Sequence, residues 1–308
     1  KEGTLFIDPG FPVQKQQVKM LGHDYYSFDV YNFRGKKLRE KIESYFKTGL
    51  ISSLLFSNPN NPSWICLTEE ELAIIGELCT KYDVIAVEDL AYFGMDFRKD
   101  YSVPGEQPYQ PSVGNYTDDY VMLVSSSKIF SYAGQRIGIM AISDHLFDRS
   151  HPDLLRYYST DKFGHAAIFG ALYGLSAGVA HSVQYGLAAL LKAVNDGTYK
   201  FRDDVIAYGR KAHLMKRLFT ENGFTIVYDR DLDEPLADGF YFTISYPGMT
   251  GNELIEKLLC YGISAISLDS TGSERQEGLR ACVSQIPEKQ FGDLEFRLRR
   301  FHEDYPIV

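Results

Sequence analysis

The chain alternates between stretches with a helical apolar repeat and short apolar runs that end in polar loops. Between Gly35 and Gly49, Leu38, Ile42, Tyr45 and Phe46 recur on one face, which predicts a helix stopped by Gly49. Ile51–Phe56 is a short apolar run before a Pro/Asn cluster and reads as a buried strand. Thr68 and Glu71 form a capping-box pair ahead of Leu72, Ile75 and Cys79, so a helix opens there. Val84–Val87 predicts a second strand running into Glu88 and Asp89, Val121–Val124 a third, and Ile137–Ile142 a fourth. The polar, Pro-containing stretch from Asp100 to Asp119 reads as an exposed connection. His165 to Val194 is Ala/Gly/Leu-rich and predicts two packed helices, and a charged amphipathic helix follows over about Phe201–Glu221. Beyond it, short strands (Thr225–Val227, Phe240–Ile244, Ile263–Ile266, Leu279–Val283) alternate with helices near Asn252–Tyr261 and Lys289–Tyr305. This change of texture near residue 200 predicts an α/β domain over 1–200 and a smaller α+β domain over 201–308.

Composition narrows the function classes. A chain of 308 residues with 44% hydrophobic and 24% charged side chains has the make-up of an ordinary globular protein. Forty-one acids against 32 bases give a net charge of −9, with no basic block to neutralise phosphates, so nucleic acid is not an expected partner. No apolar run is long enough to span a membrane, and the start KEGTLFIDPGF lacks the apolar core of a secretion signal. Cys66, Cys79, Cys260 and Cys282 are scattered, which predicts neither disulfides nor structural zinc and suits the cytoplasm.

The candidate chemistry lies where strands end. In an open α/β sheet, ligands sit outside the carboxyl ends of the strands. Three of the predicted strands end in pointed sequence: SNPNNP, EDLAY and SSSK. Lys128, behind Ser125-Ser126-Ser127, has the setting of a Schiff-base nucleophile, although a lone lysine there is most often a surface turn residue. Arg136, eight residues on, suits a phosphate. Asp89 is a carboxylate able to keep a pyridine nitrogen protonated, or else an ordinary turn residue. Tyr92 and Asn61 are placed to bond a phenolic oxygen on such a ring; their plain alternatives are packing and a Pro/Asn turn.

The ordered set NPNNPS (58–63), D-L-A-Y (89–92), S-S-S-K (125–128) with Arg136, and G-L-R (278–280) resembles the class I/II aminotransferases, fold-type I enzymes that depend on pyridoxal 5′-phosphate (PLP). The resemblance runs from about residue 5 to residue 285 and implies the three-layer PLP-transferase fold with a mostly parallel central sheet. It implies that Lys128 forms the internal aldimine and shuttles the proton, that Asp89 partners the pyridine nitrogen, and that Tyr92 and Asn61 bond the cofactor's O3′. Ser125 and Arg136 match phosphate ligands, Phe11 the aromatic ring stacked on the pyridine, and Arg280 the clamp on the substrate α-carboxylate. The implied partners are an amino acid, a 2-oxo acid and a second copy of the chain in a homodimer with shared sites. Ser159–His165 is the loop expected near that shared pocket, with Lys162 as a contact or as a plain surface lysine. Two departures stand out. Trp64, the only tryptophan, replaces a usual glycine, and the family's glycine-rich phosphate-binding turn has no counterpart in residues 1–10, so the chain is expected to be part of a longer polypeptide.

Rival readings come from the same residues. β-Eliminating lyases, decarboxylases and synthases share this motif set, and a PLP-fold regulator shares the fold. Gly174-Leu175-Ser176-Ala177-Gly178 matches the G-x-S-x-G of serine hydrolases, but that motif needs a strand before Ser176 and the preceding residues read as helix.

Overall fold

The computed structural model describes residues 1–307. Its centre is a six-stranded sheet in the order β2–β1–β3–β4–β5–β6. These strands are β1 Gly3–Asp8, β2 Tyr25–Asp29, β3 Ile51–Ser57, β4 Ile85–Leu90, β5 Tyr120–Ser125 and β6 Gly138–Ile142. The first five run parallel, and β6 is antiparallel to β5. The sheet is therefore mostly parallel, as the resemblance implied.

Two strands and a helix escape the apolar pattern. β1, β2 and the helix Pro12–Met20 between them had no predicted counterpart, because this helix buries no residue and so carries no apolar stripe. The helix Lys36–Phe46 buries Leu38, Ile42 and Phe46 and packs against the helix Glu69–Tyr82. That second helix starts as expected: the Thr68 hydroxyl accepts from the Glu71 N–H while the Glu71 carboxylate accepts from the Thr68 N–H. The Ala/Gly/Leu-rich region is a helical run from Phe163 to Ser176, π-helical in its middle, followed by the helix His181–Asn195. Ala177 and Gly178, at φ 53° and 92°, divide the two.

The remainder forms an antiparallel sheet in the order β11–β12–β10–β7, with a separate hairpin β8–β9. Its strands are β7 Thr225–Ile226, β8 Arg230–Asp231, β9 Glu234–Pro235, β10 Tyr241–Ser245, β11 Ile266–Ser267 and β12 Leu279–Cys282. The strand expected at Ile263–Ile266 is displaced. Ile263 and Ala265 pack against the core from a loop, and pairing with β12 begins only at Ile266.

Three apolar clusters hold these parts. One joins Leu5, Leu54 and Ala86 of the large sheet to Leu38, Ile42, Leu72 and Ile75 of two helices. Another lies within the C-terminal sheet and its helices. The third gathers Trp64, Tyr92, Met95, Ile129, Phe201 and Val205 beside the strand ends. The helix Phe201–Glu221 belongs to two of them, Phe201 and Val205 in the third and Met215 and Phe219 in the C-terminal one.

Candidate active site

Parallel pairing aligns the carboxyl ends of β3, β4 and β5. Ser57 sits opposite Asp89, and Leu90 opposite Val124, so the loops carrying Asn61, Tyr92 and Lys128 leave the sheet side by side.

Asp89 is the penultimate residue of β4 and is half-buried. Its Oδ2 accepts from Gln14 Nε2 at 2.9 Å and from Ser57 Oγ at 3.4 Å, and its Oδ1 accepts from the Ala91 N–H at 3.0 Å. Burial raises its pKa, opposed by these three donors, Gln14 first. Tyr92, 4% exposed, has its phenol pushed well up by burial and then by the neighbouring Tyr241. Asn61 is buried in the Pro/Asn loop, and its Oδ1 accepts from Arg280 Nη1 at 3.3 Å. Arg280 reaches it from β12, which places residues of the two sheets against one another. The Arg280 Nε is buried without a partner, and no carboxylate pairs with this guanidinium among the described residues.

Lys128 lies in a single helical turn, Ser126–Ile129, directly beyond β5. Its Nζ stands 5.8 Å from the Phe240 ring centroid and makes no hydrogen bond or ion pair among the described residues. The Ser125 hydroxyl caps that turn by accepting from the Ser127 N–H at 3.1 Å. Arg136 is exposed in a left-handed conformation (φ 53°), and its Nη1 donates to the Ala133 carbonyl at 2.7 Å. Because Ser125 pairs with Gly138, Arg136 sits two residues beyond Ser125's cross-strand neighbour. Phe11 precedes the helix Pro12–Met20 and is 46% exposed. Lys162 donates to the Asp148 carbonyl at 2.8 Å, a bond within its own region of chain.

Three site residues went unread in the sequence. Gln14 and Phe11 are one helical turn apart, so recognising that helix would have placed Gln14 near Asp89. Ser57 and Tyr241 become visible only through strand register. Trp64, buried and at φ 62°, donates its indole N–H to the Met95 carbonyl. The space for it comes from Gly239, where a Cβ would lie 1.9 Å from the indole ring. Ser176 ends a helical turn, its hydroxyl bonded to the Leu172 carbonyl, so it lacks the strand that a nucleophile elbow requires.

Comparison with known proteins gives the family and the fold. A probable aspartate aminotransferase of Methanocaldococcus jannaschii is 29% identical over 116 residues, 38% of this chain and 27% of that protein. A probable kynurenine–oxoglutarate transaminase of Saccharomyces cerevisiae is 28% identical over 112 residues, 36% of this chain and 24% of that protein. The matches thus span about a quarter of these curated relatives. The structure of a Thermus thermophilus aspartate aminotransferase mutant superposes with a TM-score of 0.75 at 15% identity, covering 97% of this chain and 70% of that one, a likeness of fold. Residues 1–293 match the model of aminotransferase class I and II. The chain belongs to the class I and II aminotransferase family.

Proposed function

We propose that the protein is a PLP-dependent aminotransferase that moves an amino group between an amino acid and a 2-oxo acid. The observation that carries this reading is Arg280, a guanidinium with a free buried Nε, no acid partner among the described residues, and Asn61 as its one bonded neighbour. Such a group is poised for a carboxylate, which it takes bidentately. The residues also suit the cofactor. Lys128 has an uncommitted amine, and Asp89 is a carboxylate held in place by three donors yet lying at an open strand end.

In this reading Lys128 Nζ would hold the cofactor by its aldehyde, Asp89 would keep its pyridine nitrogen protonated, and Tyr92 and Asn61 would bond its phenolic oxygen. Ser125 and Arg136 would hold the phosphate and Phe11 would cover the ring, with the Arg136 guanidinium turning from the Ala133 carbonyl to do so. PLP supplies an electron sink for the pair left when the substrate Cα proton departs. Arg280 would orient the substrate by its carboxylate. Lys128 Nζ would take the Cα proton as general base and give it back as general acid. The buried aromatic wall of Trp64, Tyr92 and Phe240 keeps water from this transfer.

The names of the relatives point to aspartate or kynurenine as donor and 2-oxoglutarate as acceptor. A homodimer is supported by the apolar surface on the run Phe163–Ser176, where Phe169, Leu172, Tyr173 and Leu175 are 65%, 52%, 62% and 89% exposed. No helix among the described residues is long and apolar enough to cross a membrane, and the four free cysteines suit a reducing cytoplasm.

The test is borohydride reduction of the PLP-loaded protein, peptide mapping, and a single-turnover reaction with each donor. A pyridoxyl group on Lys128 and one equivalent of 2-oxo acid, with the cofactor left as its amine, are expected. A label on another lysine refutes the site, and release of ammonia or carbon dioxide instead refutes transamination.

A further inference from the structure

Arg280 is a half-buried cation without an acid beside it among the described residues, and besides the Asn61 amide oxygen its stabilising neighbour is an aromatic ring. Its Cζ lies 4.3 Å from the centroid of the Tyr241 ring. The register explains the approach: β10 and β12 pair Thr243 with Arg280 and Tyr241 with Cys282, so Tyr241 stands diagonally across from the arginine on one face. The same ring meets Tyr92 edge-on, with centroids 6.0 Å apart and planes at 80°, and Trp64 at 6.2 Å and 69°. One side chain thus touches the carboxylate end and the cofactor end of the proposed site.

We propose that Tyr241 is a positioning residue: its ring face holds the Arg280 guanidinium for a ligand carboxylate, and its edge braces Tyr92. The inference rests on the reading of Arg280 as the carboxylate clamp. An acidic neighbour would stabilise the cation equally well, but would occupy the in-plane N–H groups that a ligand needs. A ring attracts the cation from above its plane and leaves those donors free. The ring thereby offsets part of the burial cost without competing for the site.

The full-length protein, with and without PLP, is titrated with maleate and with 3-phenylpropanoate, using emission of Trp64, the only tryptophan, as the readout. Tyr241→Phe keeps the ring and should bind within about twofold of wild type, whereas Tyr241→Leu should weaken binding about tenfold. In turnover, Tyr241→Leu should raise KM for the amino donor by a similar factor and change kcat less. Thermal melting checks each variant, and Tyr241→Met carries the same expectation if the leucine variant does not fold. If Arg280→Lys loses carboxylate binding while Tyr241→Leu and Tyr241→Met retain it, Tyr241 has no positioning role and the clamp stands. If Arg280→Lys also binds as wild type does, or wild type binds neither acid, the clamp falls and this inference with it. Lysine mapping by reduction tests the cofactor reading separately.

Discussion

Glu88 and Asp89 are consecutive in β4, so their carboxylates face opposite sides of the sheet and meet different surroundings. Glu88 is fully buried, accepts from the Ser112 hydroxyl and the Val113 N–H, and leaves its Oε1 unpaired. Burial raises its pKa to about 7, against the lowering effect of those donors. A carboxyl raised in the folded state contributes stability that is fully present below its unfolded pKa and is lost as pH rises through the folded value. Melting of the wild type should therefore weaken between about pH 5 and pH 8 by up to about 3 kcal/mol from this residue. Glu88→Gln should flatten that slope, melting higher than wild type at pH 8 and near it at pH 5. Asp89 differs because Gln14 holds it. Gln14→Leu removes a donor to a charged group and should weaken PLP binding by the apoprotein about tenfold in a fluorescence titration.

At the scale of elements, the loop from Asn58 to Trp64 and the strand β10 are built as a pair. Trp64 fills the space that Gly239 leaves, and its ring lies 5.0 Å from Tyr92. Gly239→Ala should push the indole toward Tyr92, costing about 1–3 kcal/mol by overpacking, which a urea melt measures, and shifting Trp64 emission. Elements with a strong apolar period or cap were legible from the amino acids alone: the helix after Gly35, the Thr68 cap and strands β3 to β5. The candidate residues at those strand ends could be marked for the same reason, since short buried runs show where loops begin, while the roles proposed for them came from the resemblance. Elements whose identity depends on tertiary partners were not. The helix Pro12–Met20 buries nothing, and β11 is two residues long, paired only once β12 is beside it. Gln14 was hidden with its helix, and Tyr241, although inside the expected strand Phe240–Ile244, went unmarked because only register brings it to Arg280.

Over the whole molecule, one helical stretch gathers four exposed apolar side chains within seven residues. The run Phe163–Ser176 exposes Phe169, Tyr173 and Leu175 beside Leu172, a patch that a second copy would cover in the proposed dimer. Charging it with Phe169→Glu and Leu175→Glu should convert the dimer to monomer in sedimentation equilibrium, with melting of the monomer little changed because these side chains support no internal core. A dimer that persists in the double variant places the interface elsewhere.

The helix Phe201–Glu221 has a mechanical consequence. Its first turns are rooted with Trp64 and Tyr92, and its last turns carry Met215 and Phe219 in the core beneath the sheet that bears Arg280. At 21 residues it is a rod of roughly 30 Å, stiff by its own backbone bonds. Tilting it by about 5° about its rooted end sweeps the other end through roughly 2.5 Å. The helix is then a lever: a small cant at the aromatic cluster would carry Met215 and Phe219 at its far end through about a hydrogen-bond length, while the guanidinium, held against Asn61 and Tyr241 beside the pivot, would move far less.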